Sequence, residues 1–349
     1  MNNNNNKTAL ITGITGQDGS YLSEYLIDRT DYVRVIGLNR RSSVNNTARI
    51  NHLLHNPKFT LEEADLTDSA SVNDLIVKYQ PDEVYNLAAQ SHVGTSFKQP
   101  STTIFVNTLG VINLLESILR HSSNTKFYQA STSEMFGQEF SVDETINNNI
   151  SSLEKFQDET TPFKPQSPYG VSKLASHNLV RIYRDGYNLF GSCGILFNHE
   201  SPRRGINFVT KKITNYIGKL QNGLTNEKLK LGNLKSCRDW GHAKDYVRAM
   251  WIMLQQDKPD DFVVATGDTH TIEEFLEIAF NLINKDYNDY VEIDQEFFRP
   301  AEVDYLRGKS DKAKNLLGWK PEISFEDLVK DMVKYDIKYF SSNRVTNKV

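Results

Sequence analysis

The chain has 349 residues, 24% charged and 38% hydrophobic, with a formal net charge of −4. That length buries a large core, in one domain or in a large and a small one, and the composition excludes a disordered chain. The charge gives no electrostatic case for nucleic acid or an anionic membrane, the two cysteines, Cys193 and Cys237, make neither a disulfide framework nor a zinc set, and no apolar stretch approaches the roughly 20 residues that span a bilayer.

Residues 1–7 begin with an asparagine tract that lacks the basic start and apolar centre of a signal peptide. They read as a disordered tail, residues 341–349 as a polar one, and the expected compartment is the cytoplasm. Residues 8–12 form a β-branched apolar run, a first strand. Gly13-x-x-Gly16-x-x-Gly19 follows, then a helix with Tyr21, Leu22, Tyr25 and Leu26 on one side. Strands are expected at 32–38, 59–63, 83–87, 126–130 and 191–197. Helices are expected at 69–79, 100–121 and 169–187, and residues 139–157 read as an exposed loop. Strand alternating with helix predicts an α/β fold, a Rossmann-type doubly wound parallel sheet. It should occupy mainly residues 8–197. Beyond it the alternation loosens, with helices at 208–221, 243–254, 272–284 and 325–339 and short strands near Lys230 and Phe262. A smaller mixed α/β substrate domain, mainly 198–340 with some chain crossing back, is expected there.

The glycine spacing suits a dinucleotide. Small residues let the backbone approach a pyrophosphate, and the helix N-terminus offers unpaired N–H groups to it. An ordinary strand-to-helix turn shows the same trio, so the flanking strand and helix carry the reading. About 20 residues on, an NAD site places an acid for the ribose 2′-hydroxyl. Here Asn39 stands there, followed by Arg40, Arg41, Ser42 and Ser43. Two guanidiniums suit a 2′-phosphate, so NADP is expected. Asp65 and Leu66, and Leu87, Ala88, Ala89, Gln90 and Ser91, fall where further strand ends meet adenine and ribose.

Tyr169-x-x-x-Lys173 puts a phenol and an ammonium on one helical face. Lys173 is expected to stabilise the phenolate and lower the tyrosine pKa toward that of a working base. Thr132 can hydrogen-bond the same hydroxyl. Glu134 discriminates among reactions. Oxidising a sugar C4 acidifies the C5 proton; a carboxylate can remove it and help the C6 hydroxyl leave. Simple dehydrogenation or epimerisation needs no such group.

With these residues in view, the chain resembles the extended short-chain dehydrogenase/reductase superfamily and, within it, the GDP-mannose 4,6-dehydratase family. The segments that carry the resemblance are Gly13-Ile-Thr-Gly-Gln-Asp-Gly-Ser20, Gln129-Ala-Ser-Thr-Ser-Glu134, Gly194-Ile-Leu-Phe-Asn-His-Glu-Ser-Pro-Arg-Arg-Gly205, Arg238-Asp-Trp-Gly-His-Ala-Lys-Asp-Tyr246 and Arg299-Pro-Ala-Glu302. It covers nearly everything after Lys7. It implies Thr132, Glu134, Tyr169 and Lys173 as catalytic residues. It implies NADP contacts from Gly13, Ile14, Thr15, Gly16, Gln17 and Asp18, from residues 40–43, 65–66 and 87–91, and from Lys173, His199 and Arg204. Ser91, Asn198, Arg238, Arg299 and Glu302 match positions that bind the GDP-sugar. Ser133 stands where dehydratases of dTDP-sugars place an aspartate, which favours GDP-mannose. The implied reaction is loss of water from GDP-mannose through tightly bound NADP, with the hydride moving from C4 to C6, in a homodimer or homotetramer without a metal. The same chemistry on another GDP-sugar such as a manno-heptose, a nucleotide-sugar epimerase or reductase, and a silent NADP-binding protein stay open as alternatives. The chain departs from the family pattern at Thr102, where a tyrosine is usual, and in the long 139–157 segment.

Overall fold

A computed structural model describes residues 6–29, 31–142, 154–298 and 303–346. Seven strands make one parallel sheet. Across it lie Asp261–Val264, Gly191–Leu196, Lys126–Thr132, Glu83–Asn86, Lys7–Thr12, Tyr32–Asn39 and Phe59–Glu63. In chain order this is 7-6-5-4-1-2-3. The order reverses between the first and fourth strands, and a ligand crevice opens beyond the strands' carboxyl ends at such a switch point. Leu10, Ile11, Val84, Phe127 and Ile195 are almost fully buried, as expected of strands covered on both faces.

Helices Gln17–Ile27 and Ala243–Leu254 cover one face. Ser69–Tyr79, Gly110–His121 and Pro168–Tyr187 cover the other. A separate core forms where Val209–Gln221, Ile272–Asn281 and Phe325–Thr346 pack around Trp240 and Leu231.

Two features differ from the sequence reading. Asp261–Val264 does not stay among the later helices: it pairs parallel to Gly191–Leu196 and forms the sheet's outer edge. The chain between is long enough for a crossover helix, and Ala243–Leu254 is that helix. The 139–157 segment is not a plain loop at its ends. Ser141–Val142 pairs antiparallel to Lys155–Phe156, and Gln157 is fully buried and bridges to Gly308. Residues 143–153 lie outside the described residues.

The 100–121 stretch is helical throughout, with a π turn at Phe105–Leu109. By length and composition this helix alone among the described residues could cross a membrane, and 44% of its apolar window is buried in the fold. Its polar groups bond to neighbouring elements: Asn113 donates to Leu66 O at 2.7 Å, and Glu116 accepts from the Tyr183 hydroxyl. Its inner face belongs to the core, where Val111, Leu114, Leu115 and Ile118 are buried.

Candidate active site

The carboxyl ends of the strands open into a single cleft of about 1300 Å³. Beneath it runs a buried polar row. Thr12 Oγ1 donates to Asn86 Oδ1 at 2.7 Å and accepts from the backbone N–H groups of Leu87 and Ala88 at 3.0 Å. Asn86 Nδ2 donates to Gln129 Oε1 at 2.8 Å. Three strand ends are thereby locked at one level.

Gly13 lies in the left-handed region at φ +66°, and a Cβ there would come within 2.8 Å of Ala88 N. A Cβ at Gly19 would meet Gly13 O at 2.5 Å. Only glycine allows so close an approach of turn, helix and neighbouring strand. Gly16 N-caps the 11-residue helix without a side-chain cap, leaving orphan N–H groups that face the cleft. This cradle fits a pyrophosphate. Gly13, Thr15, Gly16, Gln17 and Asp18 line it. Ile14 does not: its side chain is fully buried and fills the space left by Gly37.

A carboxylate and an imidazole close one side of the cradle. His199 Nε2 lies 2.9 Å from Asp18 Oδ2, and its Nδ1 is 2.8 Å from Phe197 O. Its ring stacks on Tyr246 at 4.5 Å. Burial alone would neutralise both partners; each outweighs it for the other, so Asp18 is held below the usual carboxylate range and His199 above the usual imidazole range. Gln17 spans from His199 O to the Ser201 hydroxyl.

Arg40 and Ser42 line the far end beside Asn39; Arg41 and Ser43 are exposed and outside the lining. Asp65, Leu66 and residues 87–91 line the same end, as Thr102 does. Arg49, which sequence reasoning passed over, also lines the cleft. Its Nη1 donates to Thr15 O at 3.1 Å and its Nε to Arg203 O at 2.8 Å, so it straps the glycine turn to the segment after His199. Its position in the run that begins at Arg40 is the one sequence signal that pointed to it.

The four residues expected to carry the chemistry line the same cleft. Thr132 ends the fifth strand, and Glu134 stands in the middle of the short turn Ser133–Met135 with its N–H on Thr132 Oγ1 at 3.3 Å. Ser167 caps helix Pro168–Tyr187 through Gly170 N at 3.0 Å, which sets Tyr169 and Lys173 facing inward, both buried. Burial pushes the Tyr169 phenol up to about 12; a hydrogen bond with Thr132 pulls it back, and the Glu134 charge adds to the rise. Burial pulls the Lys173 ammonium down to about 8. Its Nζ donates to Ala130 O at 2.8 Å. The expected lowering of the tyrosine pKa by Lys173 is therefore corrected here. The ammonium is turned to a strand carbonyl, and desolvation governs the phenol.

Asn198, Arg204 and Arg238 line the cleft on the side of the second core. Arg204 lies 3.0 Å from Glu200, and its guanidinium covers the Phe208 ring at 3.6 Å. Arg238 is buried and donates to Cys237 O at 2.9 Å. Arg299 and Glu302 lie outside the described residues.

The chain's similarities agree with this geometry. The family model described as GDP-mannose 4,6 dehydratase matches residues 10–332. GDP-mannose 4,6 dehydratase 2 of Arabidopsis thaliana is 52% identical, over 97% of this chain and 89% of its own. Among solved structures, DesIV, a dTDP-glucose 4,6-dehydratase of Streptomyces venezuelae with NAD and TYD bound, superposes with a TM-score of 0.81 at 22% identity, over 97% of this chain and 98% of its own. RMD of Pseudomonas aeruginosa complexed with NADPH does so with a TM-score of 0.75 at 24% identity, over 95% and 99%.

Proposed function

The chain belongs to the GDP-mannose 4,6-dehydratase family, and from that premise we propose how its residues divide the work. The enzyme is a nucleotide-sugar hydro-lyase: GDP-D-mannose loses one water and becomes GDP-4-dehydro-6-deoxy-D-mannose. The observation that carries the assignment is the convergence of Thr132, Glu134, Tyr169 and Lys173 beside a dinucleotide cradle.

Tyr169 takes the proton of the C4 hydroxyl. The Thr132 hydroxyl, already bonded to the phenol, holds it in line. Lys173, one helical turn on, donates to Ala130 O in the resting fold, and only when it turns from that carbonyl does its charge stand beside the phenol and favour the phenolate. Glu134 is half-buried at the cleft wall; it takes the C5 proton and passes it to the C6 hydroxyl, which leaves as water. A nicotinamide dinucleotide held in the cradle would supply the hydride-accepting and hydride-donating chemistry for C4 and C6; C5 regains a proton as C6 is reduced, which balances the one that Tyr169 removed from the C4 hydroxyl. Solved neighbours hold NADPH or NAD. For this chain Asn39 followed by Arg40, Arg41, Ser42 and Ser43 favours NADP, because no carboxylate opposes a 2′-phosphate there. Arg238, Asn198, Ser91, Arg299 and Glu302 are assigned to the GDP-sugar. The sheet domain, mainly 8–197, takes the dinucleotide and 198–340 the sugar nucleotide. Self-association as a homodimer or homotetramer and a cytoplasmic location belong to the same reading.

The test incubates purified protein with GDP-mannose and either NADP⁺ or NAD⁺ and follows the sugar nucleotide by mass. Loss of one water without net NADPH, faster with NADP⁺, is expected. Glu134→Gln should keep both ligands and lose dehydration by about 10²–10⁴-fold. Full turnover in that variant would remove Glu134 from the mechanism.

A further inference from the structure

Behind the residues of the cleft lies a second polar cluster, which meets the cleft at Ser131 while His177, Arg184 and Asp261 stay outside its lining. His177 Nδ1 shares a hydrogen bond of 3.0 Å with the Ser131 hydroxyl. His177 Nε2 is 3.7 Å from Asp261 Oδ2. Arg184 donates to both Asp261 oxygens, at 2.9 and 3.0 Å. With Cys193, the ligand atoms of His177 and Asp261 lie within 4.8 Å of one another. Such a trio invites a metal, but the guanidinium already occupies both carboxylate oxygens and would repel a cation beside it. The cluster sets a Ser131–His177 hydrogen bond against an Arg184–Asp261 ion pair, with 3.7 Å between the imidazole and the carboxylate. Burial holds His177 below the usual imidazole range, so the ring is neutral near pH 7, with one donor and one acceptor nitrogen.

Its placement connects the elements that carry the chemistry. Ser131 immediately precedes Thr132. His177 lies four residues past Lys173 and eight past Tyr169, on the same helical face. Two side chains on that face reach the end of the fifth strand: Lys173 to Ala130 O and His177 to Ser131. The first contact uses the ammonium that the reaction needs beside the phenol. The second uses no reacting group.

We propose that His177, braced by Asp261 and Arg184, is a positioning residue for the dehydration. Through Ser131 it fixes the register of the Tyr169 helix against the Thr132 strand, so the two hydroxyls stay in reach when Lys173 lets go of the Ala130 carbonyl. This rests on the roles given above to Thr132, Tyr169 and Lys173. A shift of about 1 Å between reacting groups is enough to lose about 10²-fold in rate, and among the described residues the helix has no other side-chain hydrogen bond to that end of the strand apart from the Tyr169–Thr132 bond itself.

Three variants test it in the NADP-loaded enzyme. His177→Phe keeps a ring against Phe163, 5.4 Å away edge-on, and removes both nitrogen contacts. His177→Gln keeps a donor and an acceptor. Ser131→Ala removes the other half of the bond. Expected for folded His177→Phe are a cofactor content and KM for GDP-mannose close to the parent, with a lowered melting temperature and kcat at least tenfold lower. His177→Gln should recover most of kcat. Ser131→Ala should reproduce the loss, and the double variant should be no worse than either single one, because both cut the same link. A kcat within twofold of the parent in folded His177→Phe, no rescue by Gln, or fully additive losses would overturn the proposal. If His177→Phe does not fold, Ser131→Ala decides by the same kcat threshold. Tyr169→Phe serves as the control: if it still turns over, the underlying assignment fails, whereas a dead Tyr169→Phe beside an active His177→Phe sinks only the positioning role.

Discussion

Lys173 carries an ammonium that burial works against. Its pKa in the fold is pulled down to about 8 from an ordinary value of 10.5. Between those two values the unfolded chain binds more protons than the folded one, so stability rises as pH increases through that window. At neutral pH the buried charge therefore weighs against folding. Lys173→Met is expected to abolish dehydration and to raise the melting temperature at pH 7, by the equivalent of about 1–3 kcal/mol. The gain should fade as pH approaches 10.5. Equal melting curves for the two proteins at pH 7 would refute this account. Spacing made Tyr169 and Lys173 legible as a pair, since a four-residue interval on a helix needs no fold to interpret, whereas Thr132 and Glu134 were read from their place past a strand and from the family resemblance. The Asp18–His199 pair was legible only as two separate cofactor positions: 181 residues separate its partners, and no local pattern reports such a contact.

Helix 100–121 shows what periodicity reads and what it misses. Its apolar spacing marks a continuous helix, and the chain is helical throughout. The π turn at Phe105–Leu109 is invisible in that pattern, yet it sets Asn107 inward. Asn107 Oδ1 accepts from Gln90 N at 2.8 Å, and its Nδ2 donates to Gln90 O at 3.1 Å and Ser172 Oγ at 2.9 Å. One buried side chain thus joins the loop after the fourth strand to the helix that bears Tyr169 and Lys173. π turns recur at functional positions for this reason. Asn107→Ala should cost about 1–3 kcal/mol in stability, because it strands buried donors and acceptors, and should weaken dinucleotide binding through residues 87–91. Denaturant unfolding and cofactor titration would check both; an unchanged dinucleotide affinity would separate the loop from the site.

On the scale of the whole molecule, the sheet's helical covering is not apolar only on its inner side. Ile104, Phe105, Val171 and Ile182 stand exposed on two helices that pack against each other, Phe105 at 59%. Such a face suits a second copy of the chain. Sedimentation should find the enzyme as a dimer or tetramer and Phe105→Glu as a smaller species; an unchanged size would place the interface elsewhere. The sequence by itself determined the class of fold and marked the glycine turn and the candidate reacting side chains, because strand alternation, glycine spacing and helical intervals are local properties of the chain. Tertiary structure decided the rest. It carried Asp261–Val264 back to the sheet edge, where hydrogen bonding to Gly191–Leu196 outweighs nearness in sequence. It turned Lys173 onto Ala130, and it raised the Tyr169 phenol instead of lowering it. Desolvation and cross-strand bonds arise only when distant segments meet, so no reading of neighbours along the chain can supply them.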